Sequence, residues 1–312
     1  MDFNALLNTI ATLFVLLVAG AIASKLNIID EIASKRLSKL IITIGQPFLI
    51  ISSLLGIEYS ADNLLLGAKT FAVGIVVHGI MAVIAFLACS RIKNLDERKL
   101  SEFAMVFGNV GFLGFPILES LFGAKGLFMG AFFVVSFNIV LWTWGIAILA
   151  RKRSDIKLTV KKILFNYGTV PSVIGVILYV LDLNMPDFVY SSASYLASLC
   201  TPISVLITGA LLARRSLSQI FLSPKIYYIA LVKLIVVPIA ICGLTKLLGF
   251  DTYWILFLTA VSAMPSASTI SMLSELHDIS PSYAAQAVGT TSLLSILTMP
   301  CILWIAERIA NI

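Results

Sequence analysis

The sequence predicts an all-α polytopic membrane protein of ten transmembrane helices, arranged as two inverted five-helix repeats whose fourth and ninth members are broken. Three observations lead there. The 312-residue chain is 59% hydrophobic and only 12% charged, whereas soluble domains carry about 25% charged residues. Its apolar residues fall into ten runs long enough to cross a bilayer. Two of those runs, one in each half, contain segments rich in helix-weakening residues: Gly108-Asn109-Val110-Gly111-Phe112-Leu113-Gly114-Phe115-Pro116 and Ser262-Ala263-Met264-Pro265-Ser266-Ala267-Ser268.

The runs cover roughly 3–24, 40–57, 64–90, 102–122, 126–150, 163–182, 188–213, 225–247, 252–274 and 279–306. The first lacks a basic leader and its apolar core exceeds that of a signal peptide, so it reads as a true span. The second carries Gln46-Pro47, the third Lys69 and His78, and the fourth the first break. The fifth carries Asn138. A basic stretch at 151–162 follows and divides the chain into a repeat at 1–150 and a repeat at 163–312. The seventh span carries Cys200-Thr201-Pro202, the eighth Lys233, the ninth the second break, and the tenth Gly289-Thr290-Thr291-Ser292 and Pro300.

Loop charges set the orientation. Seventeen of the 22 Lys and Arg residues fall on the side of the 151–162 stretch, while Glu58, Asp62, Asp182 and Asp187 fall opposite. By the positive-inside tendency that side is cytoplasmic and both termini are outside. Five spans per half is an odd number, so the halves must run in opposite senses. Spans 2 and 7 then become mates, and each places a proline after a polar residue and before an aliphatic run. Spans 4 and 9, the broken ones, are mates as well.

Other classes of function lack support. The net charge of +6 comes from short basic clusters between apolar runs, without the aromatic interleaving or basic arm of a nucleic-acid binder. Cys89, Cys200, Cys242 and Cys301 are far apart and read as packing residues, with no disulfide, metal site or cofactor expected. No metalloprotease, hydrolase-elbow or paired acidic motif suggests an enzyme. An anion channel or a membrane receptor remains the alternative to a carrier, since broken helices also build pores.

The first break, the Ala263-Met264-Pro265-Ser266-Ala267 turn and Gly289-Thr290-Thr291-Ser292-Leu293-Leu294-Ser295-Ile296-Leu297-Thr298-Met299-Pro300 resemble the auxin efflux carrier family, which includes bacterial malonate and malate permeases. The Pro47 segment and the Pro202-to-Leu211 segment extend the resemblance over essentially the whole chain. It implies a ten-span fold like that of bile-acid symporters and sodium/proton antiporters. Spans 1, 2, 6 and 7 would form a scaffold, and spans 3–5 and 8–10 a mobile domain in which spans 4 and 9 cross as unwound helices. The long central loop of plant members is missing, which points to a prokaryotic-type carrier. A homodimer through the scaffold spans is left open.

A break at mid-membrane costs backbone hydrogen bonds that no water replaces, so it must face a protein cavity. The free N–H groups and partial positive charge at the start of the following half-helix suit an anion. The expected substrate is a small organic carboxylate. Asn109 lies at the break and can donate to it or cap freed backbone. Asn138 could line the same cavity or bond across helices. Gly111 and Gly114 allow either close packing or backbone binding, and Pro116 and Pro265 shape the breaks. Ser266 and Ser268 offer hydroxyls, and Gln46 faces them from the scaffold side. For coupling, a central lysine costs about 2.5–3.5 kcal/mol to insert, so Lys233 and its mate Lys69 need a reason. Either they snorkel or Lys233 balances substrate charge; His78 is a second candidate. No Asp or Glu occupies the middle of a span, which favours proton-linked or potential-driven movement over sodium symport.

Overall fold

The computed structural model describes residues 3–56, 58–153, 165–182, 186–214 and 223–311. Arg151–Arg153 of the basic linker fall within it, and 154–164 lie outside the described residues. Among the described residues there is no strand, and seven helices are long and apolar enough to cross a membrane, with two shorter apolar helices beside them. We number the helices α1 (Phe3–Lys25), α2 (Glu31–Leu55), α3 (Ala61–Ala88), α4 (Leu95–Val106), α5 (Val110–Leu149), α6 (Thr169–Val180), α7 (Asp187–Ala213), α8 (Pro224–Leu247), α9 (Thr252–Ala263), α10 (Thr269–Leu276) and α11 (Pro281–Ala310).

Starts and stops follow from local chemistry. Asp30, Ser60, Asn94 and Asp251 cap α2, α3, α4 and α9, each side-chain oxygen accepting a backbone N–H of the first turn. Three helices widen into a π-turn just before a proline: Ile41–Gly45 before Pro47, Val110–Gly114 before Pro116, and Val232–Val236 before Pro238. A proline ring collides with the carbonyl four residues earlier, and the wider turn moves that carbonyl aside. At Pro116 the freed group is the Phe112 carbonyl, and Thr201 on α7 donates to it at 3.1 Å. A hydrogen bond lost within one half of the chain is thus replaced from the other half.

The 40-residue α5 would extend about 60 Å if straight, twice the hydrocarbon thickness. It breaks at Gly123, where φ is 63° and ψ is −157°. A Cβ placed on Gly130 would lie 2.7 Å from Leu118 Cδ1, so the two limbs fold back on each other. This turn falls between expected spans 4 and 5. Other boundaries shift. The second helix starts at Glu31 rather than 40, because the charged turn Glu31–Leu40 is amphipathic and remains helical ahead of the apolar run. Span 4 is divided between α4 and α5, and span 9 between α9 and α10.

Packing separates two groups. The α1 helix lies along α7 with backbones nearly touching: a Cβ on Gly20 would collide with the Leu206 carbonyl, and one on Gly209 with the Leu17 carbonyl. The α2 helix packs on α6 and α7. In the second group α3 packs on α5 and α4, and α8, α9 and α10 pack on α11. Its interior is aromatic, with Phe107 against Phe103, Phe137 and Trp144. In the second half of α4, Glu102 is fully buried and paired with Arg98 at 2.9 Å and Arg151 at 2.6 Å. Outward faces carry exposed Val15, Ile22, Val76, Val83, Ile177 and Leu297, a surface suited to lipid rather than water.

Candidate functional site

The two broken segments cross and pair. The Asn109 N–H donates to the Pro265 carbonyl at 2.7 Å, and the Ala267 N–H donates to the Phe107 carbonyl at 2.9 Å. Together they form an antiparallel bridge between Gly108 and Ser266. Backbone groups that have left their helices therefore satisfy one another, as a dry interior demands.

Four helix ends meet at this bridge, and they differ in sign. The α5 and α10 N-termini open on a small pocket of about 30 Å³ lined by Gln46, Asn109, Gly111, Phe112, Ala267 and Thr269, among others. Asn109 caps α5, its Oδ1 accepting from the Phe112 N–H at 3.4 Å, while its Nδ2 donates to Ser268 Oγ at 3.3 Å. Both bonds are long, which leaves the amide able to exchange them for a ligand. A Cβ added to Gly111 would meet nothing within 4 Å, so that backbone faces open space. Room for about two water-sized spheres fits one end of a small molecule.

Gln46, Phe137 and Thr269 also line a cavity of about 490 Å³, whose walls include Asn138, Ser268, Ser271, Lys35 and Arg214. Asn138 is 2% exposed and its Nδ2 has no hydrogen-bond partner; the buried Ser271 Oγ is also unpartnered. Such groups cost roughly 1–3 kcal/mol each unless something supplies the missing bond. Gly168 makes room for the Asn138 amide, since a Cβ there would overlap it. Near Lys35, Arg214 donates to the Ile29 carbonyl at 2.9 Å and to Ser34 Oγ at 2.6 Å. On the Pro265 side of the crossing a third pocket holds only about 40 Å³ and is lined mainly by apolar residues of α1, α5 and α11.

The structure thus gathers Asn109, Gly111, Gln46, Asn138 and Ser268 around two neighbouring cavities that share Gln46, Phe137 and Thr269 as walls. Others lie apart from them. Ser266 is fully buried, its Oγ donating to the Ala104 carbonyl at 2.9 Å and its N–H to Thr291 Oγ1 at 3.1 Å. It is engaged in holding the break rather than facing the cavity. Pro265 faces the small apolar pocket. Gly114 packs on Met264, and Pro116 follows the π-turn. Lys69 is exposed on α3 and does not share the surroundings of Lys233, so its side chain is not part of the crossing. His78 is 1% exposed, its Nδ1 2.7 Å from the Gly74 carbonyl and its ring among Phe107, Phe133 and Phe137.

Lys233 is fully buried, its Nζ donating to the Ser262 carbonyl at 3.2 Å, which rules out snorkelling in this conformation. Sequence reasoning missed Thr201 and Thr291, which complete the backbone hydrogen bonding of the breaks. Thr291 stood within the Gly289–Ser292 motif, but nothing local distinguished it from an ordinary packing threonine. It missed Arg214 as a wall residue because that arginine reads only as loop charge.

Comparison with known proteins agrees with this architecture. The model of the membrane transport protein family matches residues 5–303. An uncharacterized transporter of Methanocaldococcus jannaschii is 26% identical over 96% of this chain and 98% of its own length. One of Methanothermobacter thermautotrophicus is 23% identical over 97% and 99%. A Rhizobium meliloti protein named "Putative malonate transporter" is 23% identical over 69% of each chain. With the family matched along nearly its entire length, and its helix-breaking motifs paired at the centre of an all-helical membrane protein, the chain belongs to the membrane transport protein family, the family of the auxin efflux carriers.

Proposed function

We propose that this protein is a secondary active transporter that moves a small organic carboxylate across the cytoplasmic membrane by alternating access at the crossing. The observation that carries the reading is the convergence of two half-helix N-termini and Asn109 on one pocket. That arrangement supplies partial positive charge and N–H donors without a mobile counter-ion. Asn109 and the backbone at Gly111 bind one carboxylate. Gln46, Ser268 and the unpartnered Asn138 amide serve the rest of the molecule, and Arg214 and Lys35 draw anions into the larger cavity. Gly114, Pro116 and Pro265 shape the break, and Ser266 fastens it.

The full architecture is ten membrane crossings in two inverted repeats, 1–150 and 163–312, joined by a cytoplasmic basic linker at 151–162, with both termini outside. The turn at Gly123 supports counting α5 as parts of two crossings, and the grouping of α1, α2, α6 and α7 supports a scaffold distinct from a mobile domain. The contrast between the 490 Å³ cavity and the 40 Å³ pocket beside Pro265 supports the alternating-access reading over an anion channel, which needs a continuous path. Movement is proton-linked or driven by the membrane potential. The malonate label of the Rhizobium meliloti relative makes malonate the first substrate to try. In proteoliposomes, labelled malonate and related dicarboxylates should show saturable uptake and counterflow. Flux of these anions without saturation or counterflow would favour the channel reading and sink this one.

A further inference from the structure

The C-terminal ends at the crossing carry a separate feature. The α9 helix ends at Ala263, and three of its last carbonyls have lost the donors that a continuing helix would provide. Val261 faces Pro265, which has no N–H. The Ser266 N–H goes instead to Thr291 Oγ1, and the Ala267 N–H goes to the Phe107 carbonyl. The carbonyls of Val261, Ser262 and Ala263 are therefore left without their helical donors, at the negative end of a half-helix and in a region closed to water. Carbonyls at an unwound helix end are where membrane carriers hold a coupling cation. Here the place is taken. The Lys233 ammonium lies 3.2 Å from the Ser262 carbonyl. It is also packed so closely on the bridge that a Cβ at Gly108 would stand 3.3 Å from Nζ and 3.4 Å from the Val261 carbonyl. Among the described residues no cluster of His, Cys, Asp or Glu could hold a metal ion. Lys233 reaches the crossing from the π-turn Val232–Val236 of α8, a widening that re-aims the side chains it carries.

We infer that Lys233 is a tethered cation: its ammonium fills, within the protein's own chain, the cation site formed by the α9 carbonyls, so the crossing neither binds nor requires sodium. The positive charge that a sodium ion would bring to stabilise the break is built in. Removing it should vacate a site open to small cations. The inference extends the transporter reading to its energy source, but its test involves no substrate, so either can fail alone.

Thermal unfolding of purified protein in sodium chloride and in choline chloride of equal ionic strength decides the matter. The wild type should melt at the same temperature in both. Lys233→Ala should melt lower in choline and recover saturably with sodium, lithium or methylammonium, the last because it restores an ammonium in the vacated space. Saturable stabilisation of the wild type by sodium would overturn the proposal. So would a Lys233→Ala protein as stable as wild type, or one destabilised and indifferent to all three cations. If alanine prevents recovery of folded protein, Lys233→Met keeps the chain length and is read by the same criteria. If neither is recovered, saturable binding of radioactive sodium to the wild type overturns the proposal, and its absence, together with a stable Lys233→Arg, supports it.

Discussion

Ser266→Ala should destabilise this protein well beyond the same change at Ser268, two positions along. The Ser266 hydroxyl donates at 2.9 Å to the Ala104 carbonyl in the last turn of α4, and both residues are fully buried. Deleting the hydroxyl leaves that carbonyl without this partner where no water can enter, a cost of about 1–3 kcal/mol. Hydrogen bonds between membrane helices measured by double-mutant cycles reach only about 1.7 kcal/mol, so about 1–2 kcal/mol is the reasonable range here. Ser268 is half-buried beside the large cavity and accepts one long bond, 3.3 Å from Asn109 Nδ2. Its loss should stay within about 0.5 kcal/mol. The assay is reversible unfolding in mixed micelles with increasing SDS, reading helicity and tryptophan fluorescence together. Thr291→Val, which removes the acceptor of the Ser266 N–H, should resemble Ser266→Ala. Equal costs at 266 and 268, or a neutral Ser266→Ala, would refute the assignment of Ser266 as the fastening of the break.

Further outcomes follow from packing and topology. Glu102→Ala should cost about 2–3 kcal/mol in the same unfolding assay, below the figure for a fully dry pair because Arg98 and Arg151 are partly solvated; Glu31→Ala, which breaks an exposed and solvent-screened pair with Lys35, should leave the unfolding curve almost unmoved. Gly209→Ala drives a Cβ into the Leu17 carbonyl and should cost about 1–3 kcal/mol, whereas Gly243→Ala enters open space and should be nearly silent. With a cysteine-free chain carrying one added cysteine, an impermeant thiol reagent should label position 60 in intact cells and spare position 155; the reverse pattern would invert the proposed topology.

What the sequence made legible was local. The breaks at 108–116 and 262–268 announce themselves through glycine, proline and serine, because helix breaking depends on the residue and its near neighbours. The turn at Gly123 was visible as a gap between apolar runs. The amphipathic start of α2 was missed because charged residues are read as loop before their helical face has a partner. The bridge between Gly108 and Ser266 joins residues far apart in the chain, and no local pattern says which backbone groups will pair across that distance. Lys69 and Lys233 illustrate the same limit. Both sit about two turns inside apolar runs, yet one is exposed and the other fully buried. Which face a helix presents is decided by its neighbours. For Lys233 the deciding neighbour is the broken end of α9, whose carbonyls came into view only once the crossing was built.

Counterflow of labelled malonate in proteoliposomes, compared between the wild type and Asn109→Ala, tests the central claim most directly. Asn109 is the residue shared by the bridge, the α5 cap and the small pocket. Losing its bond to a charged carboxylate removes about 1.5–3 kcal/mol, which at about 1.4 kcal/mol per decade is a fall of roughly 10- to 100-fold in uptake efficiency. The account predicts clear counterflow in the wild type and that loss in the variant, with a melting temperature only slightly lowered by the missing cap. Wild-type counterflow that survives unchanged in Asn109→Ala would place the substrate elsewhere and contradict the account.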